Sequence, residues 1–443
     1  MKDQPSLSAG GLLKLLRSGF EKIEDHRVAE LIKVSLPDTL MSAFAMFSLK
    51  DPSLLAFDKR RRADGNLKRV YDLERVPCDT QMRTTLDEVE PSEVKPLFKD
   101  VFGQVQHARG EAQQDKTLEK YVFLEGNYLL SLDGTGHFSS KKIHCDSCLE
   151  RVNKKTGEVT YHHQILGAAI VHPDSKVVIP FAPEPIIKQD GETKNDCERN
   201  AAKRFFEQLR QDHPDLPLIV TEDALSSNAP HIRELEKHNL HYILGVKEGD
   251  HPFLFEQVAA AQQAGQTTEL EFHGIGVKHQ FRFLNQVPLN KSNQDLLVNF
   301  VEYWEITEKK TQHFCWVTDI PVTAKNVFQI MHGGRARWKI ENETFNTLKN
   351  QGYHFEHNFG HGQKNLSVVF ALLMMLAFLV DQTLELACRL FQAVLNKEGS
   401  RRSLWDHVRA LFYSLPFDCM EDIYRALLYG YRVEGLVILN DSS

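Results

Sequence analysis

The sequence predicts an α/β protein: a mixed sheet flanked by helices, with a β-rich insertion and helical N- and C-terminal regions. Three observations predict it. Apolar runs between 127 and 247 alternate with amphipathic segments in the order three strands, helix, strand, helix, strand. Short strand-like runs crowd residues 250–320. Helical apolar spacing dominates 1–110 and returns over about 364–443. The chain therefore divides at 1–110, 111–360 (interrupted by 250–320) and 361–443.

The elements follow in order. Segments 6–20, 28–47 and 79–86 carry helical apolar spacing, broken by Pro and Gly. Between the last two lies a basic loop, 59–69 (KRRRADGNLKR), with six basic residues against Asp64, a net +5. Residues 127–133 (NYLLSLD) read as a buried strand ending in an acid, and 161–172 and 176–181 as the next two strands. Helix 197–212, strand 216–223 (LPLIVTED), helix 228–237 and strand 241–247 follow. In the insertion the strand-like runs are 268–272, 278–284, 297–306 and 313–318, and 323–352 returns to helix. The apolar run 367–380 is shorter than the roughly 20 residues of a membrane span and reads as a buried helix, so no membrane partner is expected.

Composition narrows the class. Hydrophobic residues make up 42% and charged residues 26% of 443, which suits a folded chain of two or three domains. Seven scattered cysteines and a polar start at 1–11 predict a reduced, cytoplasmic protein. A net charge of −7 weighs against a uniformly basic nucleic-acid binder, yet Arg60, Arg61 and Arg62 in the basic stretch can neutralise phosphates. The alternative for that stretch is a solvated charged loop. The phosphate loop G-x-x-x-x-G-K-[ST] is absent, which removes support for a nucleotide-dependent enzyme.

Two predicted strands end in carboxylates, Asp133 in SLDGTG and Asp223 in VTEDALSSN. Ligands gather at the carboxyl ends of strands in α/β sheets. Neighbouring carboxylates repel and favour a shared cation, and hard oxygen donors suit Mg²⁺ or Mn²⁺. Each Asp can instead cap the turn that follows. Glu222 alternates to the other side of its strand and reads as a surface charge. A helix wound over 335–349 puts Trp338, Phe345 and Leu348 on one buried arc, with Glu341 inside it and Glu343 away from it. Arg337 stands one turn before Glu341 and Lys349 about two turns after. The plain alternative is an Arg337–Glu341 helix pair worth about 0.3–0.5 kcal/mol. Trp338 reads as core, with stacking on a base as the alternative.

Together these motifs resemble those of DDE transposases from bacterial insertion sequences, whose catalytic core is ribonuclease H-like. SLDGTG resembles the first-aspartate motif, VTEDALSSN the second, and RWKIE followed by F-x-x-LK the glutamate helix. The separations of 90 and 118 residues leave room for the β-rich insertion that one subgroup carries between the second Asp and the Glu. The resemblance spans roughly 125–360. It implies two-metal cleavage of double-stranded DNA at element ends and joining to target DNA, with Asp133, Asp223 and Glu341 as catalytic metal ligands. Arg337 and Lys349 would hold phosphates, and a homodimer would form on DNA. Gly334 stands where the subgroup has tyrosine, and Lys349 lies one residue further from Glu341 than its pattern. Glu343 remains the alternative third acid. A non-enzymatic DNA-binding relic and a nuclease without strand transfer are the competing readings.

A second metal is suggested by Cys145-x-x-Cys148. With His144 and His162 these thiols are candidate ligands of a structural Zn²⁺, and a reduced pair in a hairpin loop is the alternative. His162 and His163 face opposite sides of a strand, so they cannot both join one ion. His354, His357 and His361 read as a polar loop lining the DNA path.

Overall fold

The computed structural model describes residues 5–61, 65–107, 117–188 and 197–431. Its strands are β1 (Tyr128–Ser140), β2 (Leu149–Val152), β3 (Val159–Val171), β4 (Ile179–Pro180), β5 (Glu184–Ile186), β6 (Leu218–Glu222) and β7 (His241–Gly245). They continue with β8 (Thr268–Gly274), β9 (Val277–Asn290), β10 (Asn293–Thr307) and β11 (Thr311–Thr318). All belong to one sheet ordered β2-β3-β1-β6-β7-β11-β10-β9-β8, with β4 and β5 also paired to β3. β1 runs antiparallel to β3 and parallel to β6, and β6 is parallel to β7. This is the ribonuclease H-like mixed sheet, flanked by helices.

The 250–320 region is β-rich as expected, and its strands join the central sheet. β11 makes that join by pairing antiparallel with β7. Helix Pro252–Gln263 precedes them and packs on β9. The sequence supplied the strands, but which existing edge they would join is a long-range pairing that local alternation does not encode.

The N-terminal region is helical, and helices Leu54–Arg61 and Gly65–Val70 occupy most of the predicted basic loop. Ser8 and Ser35 cap the helices that follow them by accepting from Gly11 and Asp38 N–H. These helices gather around helix Leu366–Ala387, which is buried along its length from Leu366 to Leu384. It is the one helix among the described residues long and apolar enough to cross a membrane, and its apolar window is wholly inside the protein. One continuous apolar core joins the N-terminal helices, the sheet and the C-terminal helices.

A buried ionic cluster fastens these parts. Lys50 Nζ lies 2.5 Å from Asp381 Oδ2 and 2.9 Å from the Ser48 carbonyl, between the Tyr353 and Trp405 rings. Tyr353 Oη donates to the same carboxylate. Burial pushes the Lys50 ammonium down to about 8, against the pull of Asp381. A charge this deep persists only because its partners satisfy it.

Candidate functional site

Asp133 stands within β1, not at the strand's end. The hairpin with β3 continues to Ser140↔Tyr161, whereas the parallel partner β6 stops at Glu222. Asp133 thus lies where the sheet opens on the β6 side. Continuing the Ser131↔Thr221 register by two residues sets Asp133 alongside Asp223, in the turn after β6. Asp223 Oδ1 accepts from Leu225 N–H at 2.9 Å, and Asn228 caps helix Ala229–Lys237. Asp223 therefore does perform the turn-capping role considered for it, while still facing the cleft.

The glycines of SLDGTG, Gly134 and Gly136, lie within β1. A Cβ added at Gly134 would sit 2.1 Å from Glu198 Oε1. Gly167, paired with Asp133 across β1–β3, leaves space for the Phe345 ring, which a Cβ would meet at 2.8 Å. Ser131 Oγ donates to the Arg337 carbonyl at 3.0 Å. These two contacts press the glutamate helix onto the sheet beside Asp133.

Residues Ile340–Phe345 form a π-helical turn, and Asn346 N–H bonds back to the Glu341 carbonyl. Such wide turns recur at functional sites. Here the turn changes the facing of the residues around it. Phe345 and Leu348 are buried as expected, but Trp338 is 48% exposed and lines the cleft with Glu341. Glu343 acts electrostatically on Arg401 of the C-terminal region instead.

Arg337 Nη1 lies 3.2 Å from Glu341 Oε1 and 3.8 Å from Asp133 Oδ2, and its guanidinium stacks 4.0 Å from the Trp338 ring centroid. The expected Arg337–Glu341 helix pair therefore exists, and Asp133 shares its cation. Burial pushes the Asp133 carboxyl up to about 7. Hydrogen bonding to Glu341 and repulsion from it add to the rise, while Gly134 N–H and Arg337 oppose it. One proton or one cation between the two carboxyls relieves that strain.

Asp223 borders two adjoining clefts. One, of about 710 Å³, also holds Glu341, Arg337, Trp338, Trp316 and Lys247. The other holds Asp133, Glu198, Arg199 and Ser226. Glu198 is an acid that sequence reasoning passed over. It opens helix Glu198–Asp212, and its carboxyl is raised by burial first and by the charges of Asp223 and Glu222 next. An acid in a helix's first turn is too common for the sequence alone to single it out.

Glu222 is not a surface charge. It is 6% exposed, and its Oε2 meets His231 Nε2 at 2.6 Å. Burial lowers the His231 pKa, but the Glu222 charge and hydrogen bond outweigh it and leave the pKa raised. At Gly334 the missing side chain is replaced by the Trp316 indole, which a Cβ would meet at 2.2 Å.

The other predicted contacts are scattered. Lys349 pairs with Glu356 at 2.9 Å and lines neither of these two clefts. Arg60 pairs with Asp51 and covers the Tyr413 ring, and Arg61 lies 2.5 Å from Asp58. Arg62 lies outside the described residues. Cys145 and Cys148 do meet two histidines, but these are His163 and His361, not His144 and His162. His144 is exposed and stacks on Tyr161, and His162 lines a different hollow on the outer face of β3. His162 and His163 do face opposite sides of β3, and the inward member is His163. His361 is buried rather than lining a polar loop.

The clustered acids offer only oxygen donors, and Asp133 and Glu341 are held together against their repulsion, so the site fits a hard divalent cation. No curated protein matches the sequence. The family described as the transposase DDE domain matches residues 135–379, a span that starts two residues after Asp133 and contains both Asp223 and Glu341. That match covers more than half of the chain, which therefore belongs to the transposase DDE domain family.

Proposed function

We propose that this chain cuts double-stranded DNA at the ends of a bacterial insertion sequence and joins those ends to target DNA. Asp133, Asp223 and Glu341 would hold two Mg²⁺ or Mn²⁺ ions. The observation that best supports this reading is the Asp133–Glu341 carboxyl pair, pressed together beside Arg337 on a cleft shared with Asp223. Bound there, such ions would supply Lewis-acid neutralisation of charge on the phosphoryl group and would lower the pKa of the attacking hydroxyl.

The protein's own groups set the stage. Asp133, whose surroundings favour its protonated form, would hold a cation in that proton's place. Arg337 holds both carboxylates in position and keeps guanidinium donors for a phosphate oxygen. Trp338 offers an exposed ring on which a base at the cut can stack. Arg62 would add a phosphate contact, and Lys349 would do so only by exchanging its Glu356 partner for a phosphate. Arg60 and Arg61 contribute less than their charge suggests, because Asp51 and Asp58 already neutralise them. Concerted cutting of two ends calls for a homodimer on DNA, acting in the cytoplasm.

The test is incubation of the protein with a duplex carrying the DNA that flanks its gene, a second target duplex and Mg²⁺ or Mn²⁺. Joined end–target product is the expected result. Nicking without joining would replace the proposal with a nuclease, and binding without nicking would replace it with a DNA-binding relic.

A further inference from the structure

A second cluster of ligating groups lies on the hairpin arm that β1 and β3 form beyond Asp133. The chain between β1 and β2 folds into a tight turn in which Cys148 N–H donates to the Cys145 carbonyl at 3.1 Å and Cys145 N–H points to Cys148 Sγ at 3.5 Å. His163 faces the turn from β3. His361 arrives from the segment between the glutamate helix and helix Leu366–Ala387. All four are buried, at 8%, 1%, 1% and 6% exposure in chain order.

Their ligand atoms outline a small tetrahedron. Cys145 Sγ and Cys148 Sγ are 3.8 Å apart. The sulfur–nitrogen edges are 3.5 Å (Cys145–His163), 3.4 Å (Cys148–His163) and 3.3 Å (Cys148–His361), and the two Nε2 atoms are 3.2 Å apart. A tetrahedral ion with bonds of roughly 2.3 Å to sulfur and 2.05 Å to nitrogen requires edges of about 3.8, 3.5 and 3.3 Å for S–S, S–N and N–N. Each measured edge agrees to within about 0.3 Å.

We propose that Cys145, Cys148, His163 and His361 bind one structural zinc ion. Two thiolates and two imidazoles in a tetrahedron suit zinc. Four protein ligands close the coordination sphere, which assigns the ion to structure rather than catalysis. His361 Nδ1 faces the Gly362 carbonyl at 2.9 Å, which fixes the ring so that Nε2 points inward. Phe138, Cys145 and Cys148 form an apolar cluster separate from the main core, too small to hold this arm by burial alone.

The ion ties the strand that carries Asp133 to the segment that follows Glu341. Asp87 anchors the same segment from the other side, accepting N–H bonds from Gln363, Lys364, Asn365 and Leu366. The proposal stands on this geometry and does not depend on the DNA reaction.

The test is elemental analysis of the full chain purified without a histidine tag, together with the visible spectrum of protein refilled with Co²⁺. Expected are one zinc per chain and the d–d and thiolate charge-transfer bands of a tetrahedral S₂N₂ site. Cys148→Ser and His361→Ala should lose the zinc, while His144→Ala and His162→Ala should keep it. Zinc well below stoichiometric in the wild type with no tetrahedral cobalt spectrum would overturn the proposal. So would full zinc content in His361→Ala, or a Cys145–Cys148 disulfide in freshly purified protein. The wild-type measurements decide the matter even if a variant does not fold.

Discussion

Asp133→Asn is expected to stabilise the metal-free protein while abolishing its response to metal. In the folded state the Asp133 carboxyl is raised from 3.8 to about 7, by burial and by Glu341. Its protonated form is therefore the one the fold favours. The stability this group contributes is fully present below about pH 4, is lost as pH rises towards about 7, and is level above that. At roughly 1.4 kcal/mol per unit, the rise corresponds to a ceiling of about 4 kcal/mol. The two side chains are 24% and 39% exposed, so solvent screening reduces this to about 1–2 kcal/mol. For a chain of 443 residues that is roughly 1–2 °C in Tm. Thermal unfolding at pH 5 and pH 8, with EDTA or with Mg²⁺, reads the effect. Without metal the variant should melt higher than wild type at pH 8, with a smaller gap at pH 5. With Mg²⁺ at about 100 times its Kd, wild type should gain about 2.7 kcal/mol and the variant nearly nothing. A variant less stable than wild type in EDTA at pH 8, or one that Mg²⁺ stabilises equally, would refute the reasoning.

Other consequences can be checked in parallel. Glu198→Gln should lower metal-dependent cleavage by about 10-fold, as loss of a group that tunes a metal site does, and Gly134→Ala should do the same by displacing Glu198; unchanged rates in both would remove Glu198 from the site. Asp381→Asn strands the Lys50 ammonium in the core and should cost about 3–5 kcal/mol in denaturant unfolding, whereas Tyr353→Phe should cost only about 1 kcal/mol. Trp338→Ala should weaken binding of a DNA end by about 1–3 kcal/mol in a titration while barely changing Tm, because its ring is half exposed.

The core of the fold was legible because each strand signal is local. Residues 127–133, 161–172, 216–223 and 241–247 carry apolar runs that become β1, β3, β6 and β7, and the helices between them keep their apolar stripe. Strand ends were less legible. β1 runs seven residues past Asp133 because β3 continues to pair with it, and pairing is a property of two segments. The acids at 133, 223 and 341 stand out in the sequence as candidates, since carboxylates on apolar elements are costly without a partner. Trp338 was misplaced because a 100° wheel assumes α-helix throughout, and the π turn at Ile340–Phe345 breaks that phase. His361 was missed as a partner of Cys148 because 213 residues separate them. His162 was preferred to His163 because alternation fixes that two neighbours face opposite ways, not which one faces in.

The most direct test of the central account is single substitution of the three acids, with Mn²⁺ binding and nicking of end-bearing DNA measured on the same preparations. Asp133→Asn, Asp223→Asn and Glu341→Gln should each lose nicking and weaken Mn²⁺ binding, while Glu343→Gln retains both. Nicking that survives any of the three, or that disappears in Glu343→Gln alone, would contradict the assignment of this cleft as the metal site.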